Sequence, residues 1–253
     1  MRRLLVALAV FAVAACQTVA GTGRSQLILI PEGTEVAMGL DSYKDVMTKS
    51  RVSTDARLNE QVTRVGRRIA EATGRRDYQW EFRVLEDTQA NAFCLPGGKV
   101  AVYTGILPIT RDDDGLAAVL GHEVAHAVAR HGGERLSQSL IVQTGLGATQ
   151  AALADRDPVV VQSVTALLGA GASVGLLLPW SRAQESEADH LGLIYMAEAG
   201  YPPRAARDLW VRMSAASGGG KSPEFLSTHP SDTTRIAQIE GWLPEAQKRF
   251  RPR

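Results

Sequence analysis

The 253 residues, 45% hydrophobic and 22% charged, describe a globular protein of one domain, long enough to enclose a core. With 28 basic against 27 acidic residues the net charge is +1, which excludes the electrostatic footprint of a nucleic-acid-binding protein. Two cysteines make no disulfide scaffold and no internal repeat is evident, so function must reside in a particular site.

Arg2 and Arg3 make a charged start, and Leu4 to Ala14 an apolar run too short to span a bilayer. Val13-Ala14-Ala15-Cys16 closes it with small residues before a cysteine. This stretch resembles a bacterial lipoprotein signal, which implies removal of residues 1–15, lipidation of Cys16 and attachment to a membrane through that lipid. Gln17, rather than an aspartate, follows the cysteine, which implies the periplasmic face of the outer membrane. The alternative is a plain secretory signal cut near Ala15 or Ala20, giving a soluble periplasmic protein. If Cys16 is acylated, Cys94 has no partner and reads as a small buried hydrophobe. Residues 16–40 mix Gly and Thr with a short strand from Leu27 to Ile30 and read as a linker, ahead of one domain over 41–253.

Ser53 or Thr54 caps a helix in which Leu58, Val62, Val65 and Ile69 recur at helical spacing, and Gly74 ends it. Arg64, Arg67 and Arg68 form its solvated face. Trp80, Phe82 and Val84 alternate with Glu81 and Arg83, the pattern of a half-buried strand. A strand pair follows around Pro96-Gly97-Gly98, with Ala92 to Leu95 before the turn and Val100 to Thr104 after it. An edge strand there could pair with an extended peptide through main-chain bonds.

Asp114 to Arg130 reads as one helix with an apolar stripe of Ala117, Ala118, Leu120, Val124, Ala125 and Val128. Within it, His122 and His126 stand four residues apart on one face, so both imidazoles can reach one metal ion, and their neutral nitrogens suit zinc. Glu123 is turned roughly 100° from His122, so it can touch a water at the metal without being a ligand. Catalytic zinc takes three protein ligands. A histidine six residues past His126 would supply one, but Gly132 stands there and His131 is one residue short.

The other source is a carboxylate from a second helix, capped by Ser181 after Pro179 and ended by Gly200. On it Glu185 and Asp189 share a face, while Glu187 points roughly 200° away from Glu185. One of these acids can ligate and its neighbour four residues away can support it. Between the two motifs, Val159 to Leu178 carries no charge and is long enough to span a membrane. Its polar residues and glycines favour small-residue helices packed over the active-site helices instead. Pro202 and Pro203 start a further helix with Leu209, Trp210 and Met213 on its apolar side. Ser217 to Ser222 is a flexible loop, a short helix runs from Ser231 or Asp232 to Trp242, and the tail from Pro244 is frayed.

Four ordered motifs, from about Asn91 to Ile239, resemble the zincin metallopeptidases of the CaaX prenyl endopeptidase type, and in particular their bacterial periplasmic lipoprotein branch. They are Asn91-Ala92-Phe93 with Pro96-Gly97-Gly98, His122 to His126, Glu185 to Asp189, and Thr228-His229-Pro230 followed by Arg235. The resemblance implies an α+β, zincin-like (gluzincin) fold, mainly helical, with a small β-sheet at the active-site cleft. It implies a zinc-dependent endopeptidase of the cell envelope with one zinc per chain, held by His122, His126 and Glu185. Glu123 would be the general base and Asp189 would orient a ligand or donate a proton. His229 would approach the metal, closing the site or stabilising the oxyanion, with Arg235 near the cleft. Unfolded or misassembled envelope proteins are the implied substrates, and the oligomeric state stays open. Two rivals remain: a chaperone or assembly factor using the same cleft with little proteolysis, and hydrolysis of something other than peptide bonds.

Overall fold

The computed structural model describes residues 16–173, 177–217, 224–229 and 233–252, so the expected signal at 1–15 lies outside the described residues. The chain separates into two compact units, one of Gly33–Arg130 with Glu185–Arg253, the other of the N-terminal residues to Glu32 with His131–Gln184.

The larger unit contains α1 (Glu32–Lys49, from its second residue), α2 (Ala56–Ala72), β3 (Glu81–Leu85), β4 (Ala92–Leu95), β5 (Lys99–Tyr103), α3 (Leu107–Thr110) and α4 (Asp113–Val128). To these it adds most of α7 (Leu178–Glu198), then α8 (Arg204–Ser217), α9 (Glu224–Thr228) and α10 (Thr233–Arg249). Asp112 caps α4 by accepting from the Gly115 N–H at 2.8 Å, and Asp113 and Asp114 place negative charge on its first turn. Every residue of α4 from Gly115 to Ala127 is buried, not only the apolar stripe. The helix has small or apolar residues on all sides, and α2, β4 and α8 pack around it.

The sheet runs in the order β3-β5-β4, with β3 parallel and β4 antiparallel to β5. Gly97 and Gly98 both take φ +87 in the hairpin turn, where a side chain would be strained. This leaves β4 at an edge of the sheet, against α4.

Several boundaries differ from the expected ones. Asp55, not Ser53 or Thr54, caps α2 by accepting from the N–H groups of Arg57 and Leu58. Arg64 is half of an ion pair with Asp113 at 2.7 Å. The last helix does not fray at Pro244 but continues to Arg249. Proline removes one helical hydrogen bond, yet Ile239 and Ala246 are buried and Trp242 stacks on His190 at 4.9 Å, so packing outweighs the loss.

In the smaller unit β1 (Cys16–Thr18) and β2 (Ser25–Leu27) form an antiparallel ribbon, so the expected strand begins two residues early. Arg24 donates twice to Glu134 of α5 (His131–Ala152), at 2.8 and 2.7 Å, and Gln184 donates to the same carboxylate. The uncharged stretch forms α6 (Pro158–Ala172), capped by Asp157. It was expected to be buried by packing; within its own unit it lies along α5 with none of its residues buried, Val159 and Leu167 being 69% and 75% exposed. Among the described residues no helix is long and apolar enough to cross a membrane.

Candidate metal centre

Two helices bring the motifs together. Where α4 meets α7, Gly121 faces Gly192: a Cβ on Gly121 would lie 2.9 Å from the Gly192 carbonyl oxygen, and one on Gly192 would lie 2.9 Å from the Gly121 carbon and the His122 nitrogen. Glycine at both positions lets the backbones approach more closely than any side chain would allow. Glu185, Asp189 and Gly192 lie at i, i+4 and i+7 on one face of α7, so the contact that joins the helices also aims both acids at His122.

At the centre, one ligand atom from each of His122, His126, Glu185 and His229 lies within 4.8 Å of the others, and all four residues are buried. His122 Nε2 is 3.1 Å from His126 Nε2, 3.0 Å from His229 Nδ1 and 3.3 Å from Glu185 Oε2. Glu185 spans the group, with Oε1 3.3 Å from His126 Nε2 and Oε2 2.7 Å from His229 Nδ1. A tetrahedral ion at about 2.0–2.1 Å from each ligand separates its ligands by about 3.4 Å, so the spacing suits zinc. The chemistry agrees with the spacing. His122 Nδ1 lies 2.9 Å from Asp189 Oδ1, and a proton donated there leaves a lone pair on Nε2, facing the other donors, where a cation is required.

Around this cluster sits a second set of charges. Arg235 of α10 donates to Asp189 through Nε at 2.6 Å and Nη2 at 2.7 Å, and its Nη1 is 3.6 Å from Glu185 Oε2. Burial alone would raise the Asp189 carboxyl, but the Arg235 charge and the His122 hydrogen bond hold it below the usual carboxylate range. Burial likewise acts against ionised Glu185, and the hydrogen bonds to His122 and His126 overcome it, so this acid is held far below that range. For His122, burial disfavours the cation while Asp189 and Glu185 favour it more, and the result is upward. Both carboxylates are therefore ionised, as ligation and orientation require. Glu123 is buried beside the cluster, its Oε1 3.4 Å from His229 Nε2.

The structure thus gathers Glu123, His122, His126, Glu185, Asp189, His229 and Arg235 in one place. Glu187 is buried but stands outside the ligand group, as its angle on the helix required. His190 stands apart and pairs with Glu245 at 2.8 Å. Cys16 opens β1 and is exposed. Cys94 is half-buried on β4, and burial together with the Glu123 charge pushes its thiol well up, which keeps it protonated. Pro230, Ser231 and Asp232 lie outside the described residues. Two aromatic residues had no signal beyond apolar spacing. Phe225 of α9 lies against His229 at 4.7 Å, the rings tilted by 31°, and ties α9 to the chain before β4 through its N–H to the Ala90 carbonyl. The Trp210 ring of α8 lies under the Arg235 guanidinium.

Residues 56–243 match the sequence pattern of peptidase family M48. The chain is 45% identical over 217 residues to the mitochondrial metalloendopeptidase OMA1 of Schizosaccharomyces pombe, covering 84% of this chain and 62% of that protein. It is 35% identical over 250 residues to the protein of the same name in Saccharomyces cerevisiae, covering 89% and 68%. To the putative β-barrel assembly-enhancing protease of Vibrio cholerae it is 29% identical over 204 residues, covering 78% and 41%. The chain therefore spans about three-fifths of the length of the S. pombe relative. These likenesses overturn the expected place on a bacterial outer membrane, since the stronger ones are to mitochondrial proteins and the bacterial one is weaker. A charged start followed by a short apolar run is a general feature of targeting segments, and by itself does not specify which membrane is meant.

Proposed function

The chain belongs to peptidase family M48, and from that premise we propose that it is a zinc-dependent endopeptidase with a zincin-like (gluzincin) catalytic fold. One observation carries the reading: three imidazoles and a carboxylate converge in a buried group with a further carboxylate, Glu123, at its side. His122, His126 and Glu185 would hold the ion. Zinc bound there supplies Lewis acidity and brings the pKa of a water toward about 7. Glu123 takes the proton of the attacking water and returns it to the leaving amine. Asp189 accepts from His122 Nδ1 and so keeps Nε2 turned inward.

His229 completes the ligand group in this arrangement, and a group with four protein ligands has no place for a substrate carbonyl. We read it as the gate, opened when the His229 imidazole leaves the group. The edge strand β4 lies against α4 and offers main-chain groups to an extended chain, which fits substrates that have failed to fold or assemble.

The test compares wild type with Glu123→Gln. Both should bind one zinc per chain, while release of peptides from an unfolded protein falls by about 10²–10⁴-fold in the variant. A wild type that binds zinc without cleaving, or a variant that cleaves as well, would refute the proposal.

A further inference from the structure

Arg235 lies between two carboxylates that need opposite treatment. Asp189 has to be held against His122, whereas Glu185 has to stay free to ligate, and the guanidinium is 2.6 and 2.7 Å from the first and only 3.6 Å from the second. A guanidinium that shifted toward Glu185 would compete with the metal for its ligand. Trp210 lies under the guanidinium: Arg235 Cζ sits 3.4 Å from the centroid of the indole, which is 3% exposed. The same ring stands edge-on to His122 at 5.7 Å, with an angle of 77° between the planes, and is tilted against Phe225 at 5.7 Å.

We infer that Trp210 is a positioning residue of the metal centre, holding Arg235 on Asp189 and away from Glu185; the inference rests on reading the cluster as a zinc site. Its neighbours in the buried row of α8, Leu209 and Met213, are aliphatic, and an aliphatic side chain could fill the volume of residue 210 as well. It could not attract a cation. An aromatic face does so through its quadrupole, and most strongly where the cation has lost water, as this buried guanidinium has. The contacts then run from Trp210 on α8 to Arg235 on α10, to Asp189 on α7 and to His122 on α4, so four helices orient one ligand.

The experiment uses Trp210→Phe, which keeps an aromatic face, and Trp210→Met, smaller than Trp as Phe is but without an aromatic face. Zinc release to a chelator and the kcat and KM of peptide cleavage are measured for both, and for each combined with Arg235→Gln. Positioning predicts that Trp210→Met speeds zinc release and lowers kcat by about tenfold at unchanged KM, while Trp210→Phe stays within about threefold of wild type. It also predicts that Trp210→Met adds nothing once Arg235 is Gln. If Phe and Met behave alike, or if their effects add fully to that of Arg235→Gln, Trp210 is core packing and the inference fails. The zinc-release arm decides this even if wild type proves to cleave no peptide.

Discussion

Replacing Asp189 by Asn changes one atom in a buried site, and the geometry sets the cost. Asp189 Oδ1 accepts from His122 Nδ1 at 2.9 Å and from Arg235 Nη2 at 2.7 Å, and Oδ2 accepts from Arg235 Nε at 2.6 Å. Asparagine has one oxygen. Placed at the Oδ1 position it keeps two of these bonds, but its amide then turns a donor toward the Arg235 Nε–H. The variant loses a charge-assisted bond and leaves the buried guanidinium without its main counter-charge, which removes about 3–5 kcal/mol when a partner is deleted outright. Glu185 still lies 3.6 Å from Nη1 and the shape is kept, so about 3 kcal/mol is expected. Zinc affinity should fall by about tenfold, because His122 retains an acceptor but loses a charged one.

The assay is urea unfolding of the zinc-free protein, with chelator competition run separately. The Asp189 carboxyl is held below its ordinary range, so its contribution is complete above that range and is lost as pH falls through the folded-state value. The gap between wild type and Asp189→Asn should shrink below about pH 4, and should also narrow as pH rises through the raised His122 value, because the Asp189 charge favours the imidazolium. A gap under about 0.5 kcal/mol at pH 7, or one that persists undiminished in acid, would refute the assigned Arg235-Asp189-His122 linkage.

Three further outcomes are expected. His229→Ala should raise peptide cleavage several-fold with zinc still bound, measured by kcat and metal content; a lower rate would make His229 a stabiliser of the oxyanion instead of a gate. Gly192→Ala should destabilise by about 1–3 kcal/mol in thermal unfolding, because the new Cβ meets backbone at 2.9 Å. In an uncrowded helix the same change would stabilise by about 1 kcal/mol, so the sign alone tests the crossing. Pro244→Ala restores a helical N–H within α10 and should raise stability by about 1 kcal/mol or more, with no change in cleavage.

Much of the centre was legible because it is local. Four residues are about one helical turn, so His122 and His126 had to share a face once α4 formed, and Glu123 had to lie beside them. The same rule separated Glu187 from Glu185 and Asp189, and Gly97-Gly98 marked the hairpin because few other residues adopt φ near +87. The family resemblance added His229 and Arg235, which spacing alone could not connect to residues 107 and 113 positions away.

The tertiary structure decided everything that depends on one element meeting another. Helical period places Glu185 and Asp189 on one face but does not say which acid lies among the imidazoles; the approach of Gly121 to Gly192 does, by fixing how far along α7 His122 falls. Trp210 looked like any apolar residue of an amphipathic helix until a guanidinium lay on its ring. Pro244 ends a helix in isolation but not when Ala246 beyond it is buried. The absence of charge in α6 suggested burial, yet none of its residues is buried, since hydrophobicity favours contact without specifying a partner. Backbone spacing and capping act over a few residues and can be read along the chain, whereas close packing and ion pairing are settled only by the surfaces that three dimensions bring together.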